Sequence, residues 1–483
     1  MSLLILIIPL VAALLVFFLK GQAARLGALA AGIANLIVTG VLMASFDASG
    51  AIQHAIRLPW ITSAGIQVYF GVDGISLLML VLTNLLIPFI LLTSFQNETL
   101  KNAPAFYGLV LLMQAGLNGV FMAFDGLLFY IFWELALIPI YFISAFWGGE
   151  HRQRITLKFF IYTFVGSLLM LLSLLTVYLM TSTPAGTHSF EWSVMAETKI
   201  PTSLGVFAVL GFFAAFAVKV PIFPFHTWQP DTYTVSPTPG TMLLSGIMLK
   251  MGLYGMIRWM LPIVPEGLMA FQYLFTTLAI SGVLYGAIIA IKQDDVKRLV
   301  AYSSLSHVGL IAAGILTTSE TGIQGALVQM LNHGINVVGM FYVVDWLERR
   351  TGTRSLKNLG GLAKVSPKFA VLFMIVLLGS VAVPLTNGFI GEFLLLQSVY
   401  QYNAWMGAFA GLTIIFGAVY MLRVYQMAMY GNVKAADVHA GDLDATDWLV
   451  LAPIAALVII LGLFPQWIFN LTAGSLSKLL AFL

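Results

Sequence analysis

The chain has 483 residues; 60% are hydrophobic and only 9% are Asp, Glu, Lys or Arg, against about 25% in soluble domains. So few charges could not keep a soluble domain's surface wet, and the mean hydropathy of +0.96 marks an integral membrane protein. The net charge of +3 is uninformative, but the lack of cysteine excludes disulfides, iron–sulfur clusters and thiolate zinc sites.

The first twenty residues have no basic n-region and no small-residue cleavage site, and their one positive charge, Lys20, follows the apolar run. They read as an uncleaved first span rather than a signal peptide. A helix needs about 20 apolar residues to cross the bilayer core. Fourteen stretches qualify: 2–19, 25–46, 73–95, 104–122, 125–147, 156–181, 203–225, 237–261, 268–291, 296–317, 321–347, 367–395, 404–430 and 447–474. The expected fold is all-α and polytopic, a single membrane domain over 1–483. The longest connections, 47–72 and 182–202, are short and polar, and could each hold a hairpin.

Lysine and arginine positions test this layout. With the N-terminus outside, seventeen of the 23 fall in inner loops or adjacent helix ends, among them Lys101, Lys297 and Lys434. Four, Arg57, Lys199, Arg258 and Lys478, fall on the outer side. Such asymmetry fits the positive-inside rule with both termini outside. Two lysines, Lys219 and Lys250, remain inside spans.

Spans 7 and 12 carry helix breakers. The first break has Pro221, Pro224, Pro230, Pro237 and Pro239 in FAVKVPIFPFHTWQPDTYTVSPTPG (216–240); the second has Pro384, Gly388 and Gly391 in GSVAVPLTNGFIGEF (379–393). Proline removes a backbone donor, so broken backbone in a membrane sits inside protein or against a watery cavity. A matched pair of interrupted helices points to inverted repeats around a transport site. Spans 4–8 (104–261) and 9–13 (268–430) form two five-helix repeats in this reading, and the odd helix number inverts the second copy. Residues 1–95 and 447–483 flank them.

A charge at the bilayer centre costs about 2.5–3.5 kcal/mol on insertion scales, so buried ionisable groups are few and usually functional. This chain has six: Glu134, Lys219, Lys250, His307, His333 and Glu392. Each has a structural alternative: snorkelling for the lysines, core packing for the histidines, helix capping for Glu392. Ser303 shares a helix face with His307, as Gln329 and Asn336 do with His333. These are hydrophilic stripes suited to holding water. His151, His226 and Asp231 read as solvated inner-loop residues, His54, His188 and His439 as loop residues, Asp125 as a helix cap, and Trp133 as packing. A Glu–Lys pair of changing separation can switch the lysine between holding and releasing a proton. Glu134–Lys219 is the candidate switch, Lys250, His307 and His333 the relay, and Glu392 the exit. No P-loop or dinucleotide fingerprint supplies energy; that must come from partner subunits or an ion gradient.

FWELALIPIYFI (132–143), KVPIFPFHTWQPDTY (219–233), DDVKRLVAYSSLSHVG (294–309) and GFIGEF (388–393) resemble the antiporter-like subunits of proton-pumping NADH:quinone oxidoreductase, respiratory complex I. The resemblance covers nearly the whole chain and is strongest to the subunit M branch. The chain ends after the fourteenth span, where one sibling continues into a lateral helix, and Glu392 stands where another typically has lysine. The resemblance implies a membrane-arm subunit in the bacterial inner membrane, both termini periplasmic, moving protons through the same six residues. It implies sibling membrane subunits and lipid as partners, no nucleic acid, and no cofactor in this chain; NADH, FMN, iron–sulfur clusters and quinone belong to partner subunits. One departure stands out. The family's loop usually reads Leu-Pro-Asp-Ala-His with a Glu two residues on; here it is Gln229-Pro230-Asp231-Thr232-Tyr233, then Val235, without that His and Glu.

Three other readings compete. A multi-subunit cation/proton (Na+/H+) antiporter or a membrane-bound hydrogenase shares the fold and most motifs. A haem carrier with His307 and His333 as axial ligands leaves both lysines unexplained. So does a passive scaffold.

Overall fold

The structure is a computed structural model describing residues 2–95, 102–183, 186–433 and 442–483; Lys101, Lys434 and His439 lie outside them. Helices α1 (Ser2–Phe18) and α2 (Gly21–Ala44) lead into a hairpin of β1 (Gln53–Ile61) and β2 (Ile66–Val72). The strands pair antiparallel, Ile56 opposite Phe70 and Leu58 opposite Val68. Gly65 turns the hairpin at φ +61°, with the carbonyl of His188 against its Cα, so a side chain there would be excluded. Four long helices follow: α3 (Gly74–Phe95), α4 (Ala103–Met122), α5 (Gly126–Trp147) and α6 (Arg152–Tyr178). Asp125 caps α5, accepting from the N–H groups of Leu127 and Leu128. The 182–202 connection forms a short helix, α7 (Trp192–Glu197), rather than a hairpin.

The first break follows α8 (Thr202–Lys219), and the chain resumes as α9 (Gln229–Val235). Next comes one continuous helix over 238–263. Its α-helical segments α10 (Thr238–Leu243), α11 (Leu249–Gly255) and α12 (Leu261–Ile263) alternate with π-helical turns at Leu244–Met248 and Met256–Met260. Such wide turns are rare and cluster at functional sites. Helices α13 (Pro265–Lys292), α14 (Val296–Leu316) and α15 (Glu320–Thr351) follow, then the short α16 (Leu362–Val365). The second break separates α17 (Pro367–Ser380) from α18 (Asn387–Tyr402), and α19 (Ala404–Met429) comes after. The 447–474 stretch is not one helix: α20 (Ala445–Leu463) ends at Phe464, and α21 (Gln466–Leu480) starts afresh. Pro465 has no N–H to continue the ladder.

Twelve described helices, counting 238–263 as one, are long and apolar enough to cross a membrane; α1 and α17 are shorter apolar helices. The 238–263 helix, α14 and α15 are fully covered and form the centre, while α2, α6, α19 and α20 turn much of their surface outward. The exterior is apolar: Phe18, Phe146, Ile415 and Trp405 are exposed, the last by 78%. Buried amides bind helices from within. Pro9 in α1 leaves the Ile5 carbonyl without its usual donor, and Asn35 and Asn118 each donate to it at 3.1 Å.

Ion pairs tie the basic end together. Asp231 joins Lys158 (3.4 Å) to Arg298 (3.1 Å), and Arg349 and Arg350 reach Asp447 at 3.1 and 3.4 Å. At the opposite end Arg57 pairs with Glu191 at 3.1 Å.

Candidate functional site

Lys219 ends α8 where the first break begins. A cation suits that position because the last carbonyls of the helix face it. Its side chain is 2% exposed, its ammonium has no hydrogen-bond partner, and it lies 5.2 Å from the Trp133 ring centre. Trp133 is therefore a cation–π neighbour as well as packing. Glu134, one residue on, is partly buried, with the Tyr130 and Ser167 hydroxyls within hydrogen-bonding reach. Glu134 and Lys219 feel each other's charge but form no direct ion pair.

The break is closed by side chains. Trp228 donates its indole N–H to the Val218 carbonyl at 2.9 Å, and Gln229 donates to Ala301 at 3.1 Å. His226, read from sequence as solvated, is buried against Phe223 and Tyr285. The loop folds back into the bundle, which places the imidazole between aromatic rings. Asp231 is partly shielded by its two ion pairs.

Lys250 has no exposure. The wide turn before it lets its ammonium donate to the Ser245 carbonyl, five residues back, at 2.6 Å. It also donates to His333 Nδ1 at 2.8 Å. An ammonium has no lone pair, so Nδ1 is the acceptor and a neutral His333 carries its proton on Nε2, which faces Ser304 Oγ at 3.2 Å. The His307 ring centre lies 6.1 Å from that of His333. His307 Nδ1 sits 2.7 Å from Glu392 Oε1, off the line of a well-directed hydrogen bond, and Gln329 donates to the same oxygen at 3.4 Å. Glu392 does not cap α18, since its carboxylate faces His307 and Gln329.

A cavity of about 20 Å³ lies among Ser303, Ser304, His307, Gln329, His333 and Glu392. That is room for one or two waters, with polar partners enough to hold them. Lys250, His333, His307 and Glu392 thus lie in one file, with water space at its middle. Glu134 and Lys219 form a separate pair. No hydrogen bond joins Lys219 to Lys250, although the backbone at Gly252 packs 3.2 Å from Lys219 Cβ, measured from where a side chain would start.

The second break is clamped from α15. Asn336 donates to the Gly379 carbonyl at 2.9 Å and Asn332 to that of Asn387 at 2.7 Å. Sequence reading missed Asn332, Ser304 and Ser245. It also placed Arg258 at an outer helix end, but Arg258 is buried and pairs with Asp73 at 2.5 Å. Among the described residues no three His, Asp or Glu side chains could hold a metal ion. The cavity between His307 and His333 has no room for a porphyrin.

Broken helices around a buried Lys–His–His–Glu file and a separate Glu–Lys pair define a polytopic membrane protein of the ion-transporting class. The sequence profile of the family described as "NADH:quinone oxidoreductase/Mrp antiporter, TM" matches residues 123–417, and the chain belongs to that family. NADH-quinone oxidoreductase subunit M of Rickettsia typhi is 37% identical, over 94% of this chain and 91% of the relative. F(420)H(2) dehydrogenase subunit M of Methanosarcina mazei is 37% identical over 96% and 94%. A chain of respiratory complex I from Thermus thermophilus superposes with a TM-score of 0.91 at 31% identity, covering 99% of this chain and all of that one. A chain of the Mrp complex from a Dietzia species shares the fold at 19% identity and a TM-score of 0.86.

Proposed function

We propose that the chain is a proton-translocating membrane-arm subunit of an NADH:quinone oxidoreductase, of the subunit M type. It performs no redox chemistry itself; quinone reduction in partner subunits drives it, and NADH, flavin, iron–sulfur clusters and quinone belong to those partners. The observation that carries the reading is the file from Lys250 through His333 and His307 to Glu392, each group buried and each within reach of the next or of shared water space. Lysine is a suitable middle station because burial and neighbouring charge readily change its proton affinity. Glu134 and Lys219 serve as the switch. When the carboxylate approaches, the ammonium is held; when it withdraws, the proton is released towards Lys250. The two breaks divide the chain into repeats over 104–261 and 268–430, of opposite orientation. The membrane is the bacterial inner membrane, with both termini periplasmic.

Glu134→Ala and Lys219→Ala test this in the complex reconstituted into vesicles. Each is expected to lower proton pumping and the quinone reduction coupled to it by about tenfold or more, since a positioned proton carrier contributes roughly 10²–10⁴-fold. Unchanged pumping stoichiometry together with unchanged quinone reduction would end the switch assignment.

A further inference from the structure

Lys297 is the second residue of α14 and is 3% exposed. Both facts are unfavourable. A cation in the first turn faces the positive end of the helix dipole, and burial removes its water. The ammonium donates to the Ser236 carbonyl at 2.6 Å, at the junction between α9 and α10. Four charged groups act on it. Asp295 lies on its own helix, Asp345 and Glu348 on the last turns of α15, and Arg354 just beyond.

From Ser236 a row of buried hydroxyl residues runs along the 238–263 helix to Lys250. Thr241 Oγ1 donates to the Tyr233 carbonyl at 2.8 Å and lies 3.3 Å from the same Ser236 carbonyl. Ser245 Oγ donates to the Thr241 carbonyl at 2.7 Å, and Lys250 Nζ to the Ser245 carbonyl at 2.6 Å. Ser236 Oγ also meets Ser144 Oγ of α5 at 2.8 Å. Two buried lysines therefore stand at the two ends of one ladder of hydroxyls. Carbonyls cannot pass protons, but hydroxyls both donate and accept, and rotation away from the carbonyls would turn them to intervening water.

We propose that Lys297 is the proton-loading residue at the basic end of the bundle and delivers protons to Lys250 along the Ser236–Thr241–Ser245 ladder. The Lys297 ammonium gives its proton to the nearest water of the ladder and becomes a neutral amine. A proton leaves the far end onto neutral Lys250, and Lys297 reloads from water beside Asp345 and Glu348. This rests on the proton-carrying role proposed above for Lys250. It also supplies an inlet independent of the His and Glu missing from the 229–235 loop.

The test uses the assembled complex in vesicles, comparing Lys297→Met, Lys297→Arg, Thr241→Val and Lys250→Met. Proton uptake from the basic-end side is followed with quinone reduction across a range of pH on that side. Lys297→Met and Lys297→Arg are both expected to slow uptake by about tenfold or more, because arginine keeps the charge but does not release its proton. Both should also change the pH dependence on that side, which a purely structural lysine would not. Full activity in Lys297→Arg would make the residue a fixed charge and overturn the proposal, as would full activity in Lys297→Met. If Lys297→Met fails to assemble, Thr241→Val carries the test: it keeps shape and loses the hydroxyl, and an unaltered uptake rate overturns the ladder. Lys250→Met separates the two ideas. If it alone stops pumping, the inlet is wrong; if it too is silent, the proton-carrying role of the file falls.

Discussion

Lys250 has an imidazole and a backbone carbonyl as partners, whereas Arg258, about two turns along the same helix, has a carboxylate. The difference matters because lysine gives up its proton when its surroundings change and arginine does not. Arg258 is a fixed charge, sandwiched by Asp73 at 2.5 Å and the rings of Phe124, Trp192 and Tyr254. Arg258→Met should therefore destabilise the protein by about 3–5 kcal/mol, most of it from leaving Asp73 buried without a partner. The double variant Asp73→Asn with Arg258→Met should recover much of that loss. Thermal unfolding of the purified complex measures both; equal losses in single and double variants would show that the pair is not a unit. The six candidate proton carriers could be singled out in the sequence because each falls inside a span, Glu134 and Lys250 in apolar runs and His307 and His333 in polar stripes. Arg258 and Lys297 could not, because both lie near span ends. There the sequence looks the same whether a cation snorkels or is enclosed by other helices.

At the scale of the element, the breaks are stable because neighbours satisfy the backbone that proline frees. Asn336 and Asn332 do this for the second break and Trp228 for the first, while Gln229 ties the first break to the Ala301 carbonyl of α14. The second break also needs close backbone approach. Gly388 rests on the Gly379 carbonyl, so a side chain at 388 would strike it. Gly388→Ala should cost about 1–3 kcal/mol through overpacking and reduce the assembled complex. Gly411→Ala, in α19 with open space around it, should be neutral. Equal expression and thermal stability for the two variants would contradict this. The prolines made the break positions readable from sequence. The clamps of the second break come from α15, and the sequence marks Asn336 only as part of a polar stripe. The division of α20 from α21 shows the converse, since one proline in an otherwise continuous apolar run was enough to turn the chain.

For the whole molecule, the layout rests on the distribution of cations, and the absence of native cysteine makes it directly measurable. Single cysteines at Glu150 and Thr187, both exposed, should react with a membrane-impermeant thiol reagent from opposite sides of the membrane. Glu150→Cys should label from the cytoplasmic side and Thr187→Cys from the periplasmic side; labelling of both from one side would refute the layout. Membrane class was legible because lipid demands long apolar runs whatever the tertiary structure; the number of spans was less so, fourteen being expected where twelve described helices are long and apolar enough to cross. The geometry of the file was not, since it depends on how α11, α14, α15 and α18 pack together. The narrow space beside His307 and His333 bears on which ion the protein can carry. A proton crosses such a gap as a rearrangement of bonds and needs no volume of its own. A sodium ion would have to shed its water shell and take its oxygen ligands from the lining, the Ser303 and Ser304 hydroxyls and the Gln329 and Glu392 side chains. The gap can therefore pass a proton without widening, whereas the passage of any hydrated ion would require the surrounding helices to part.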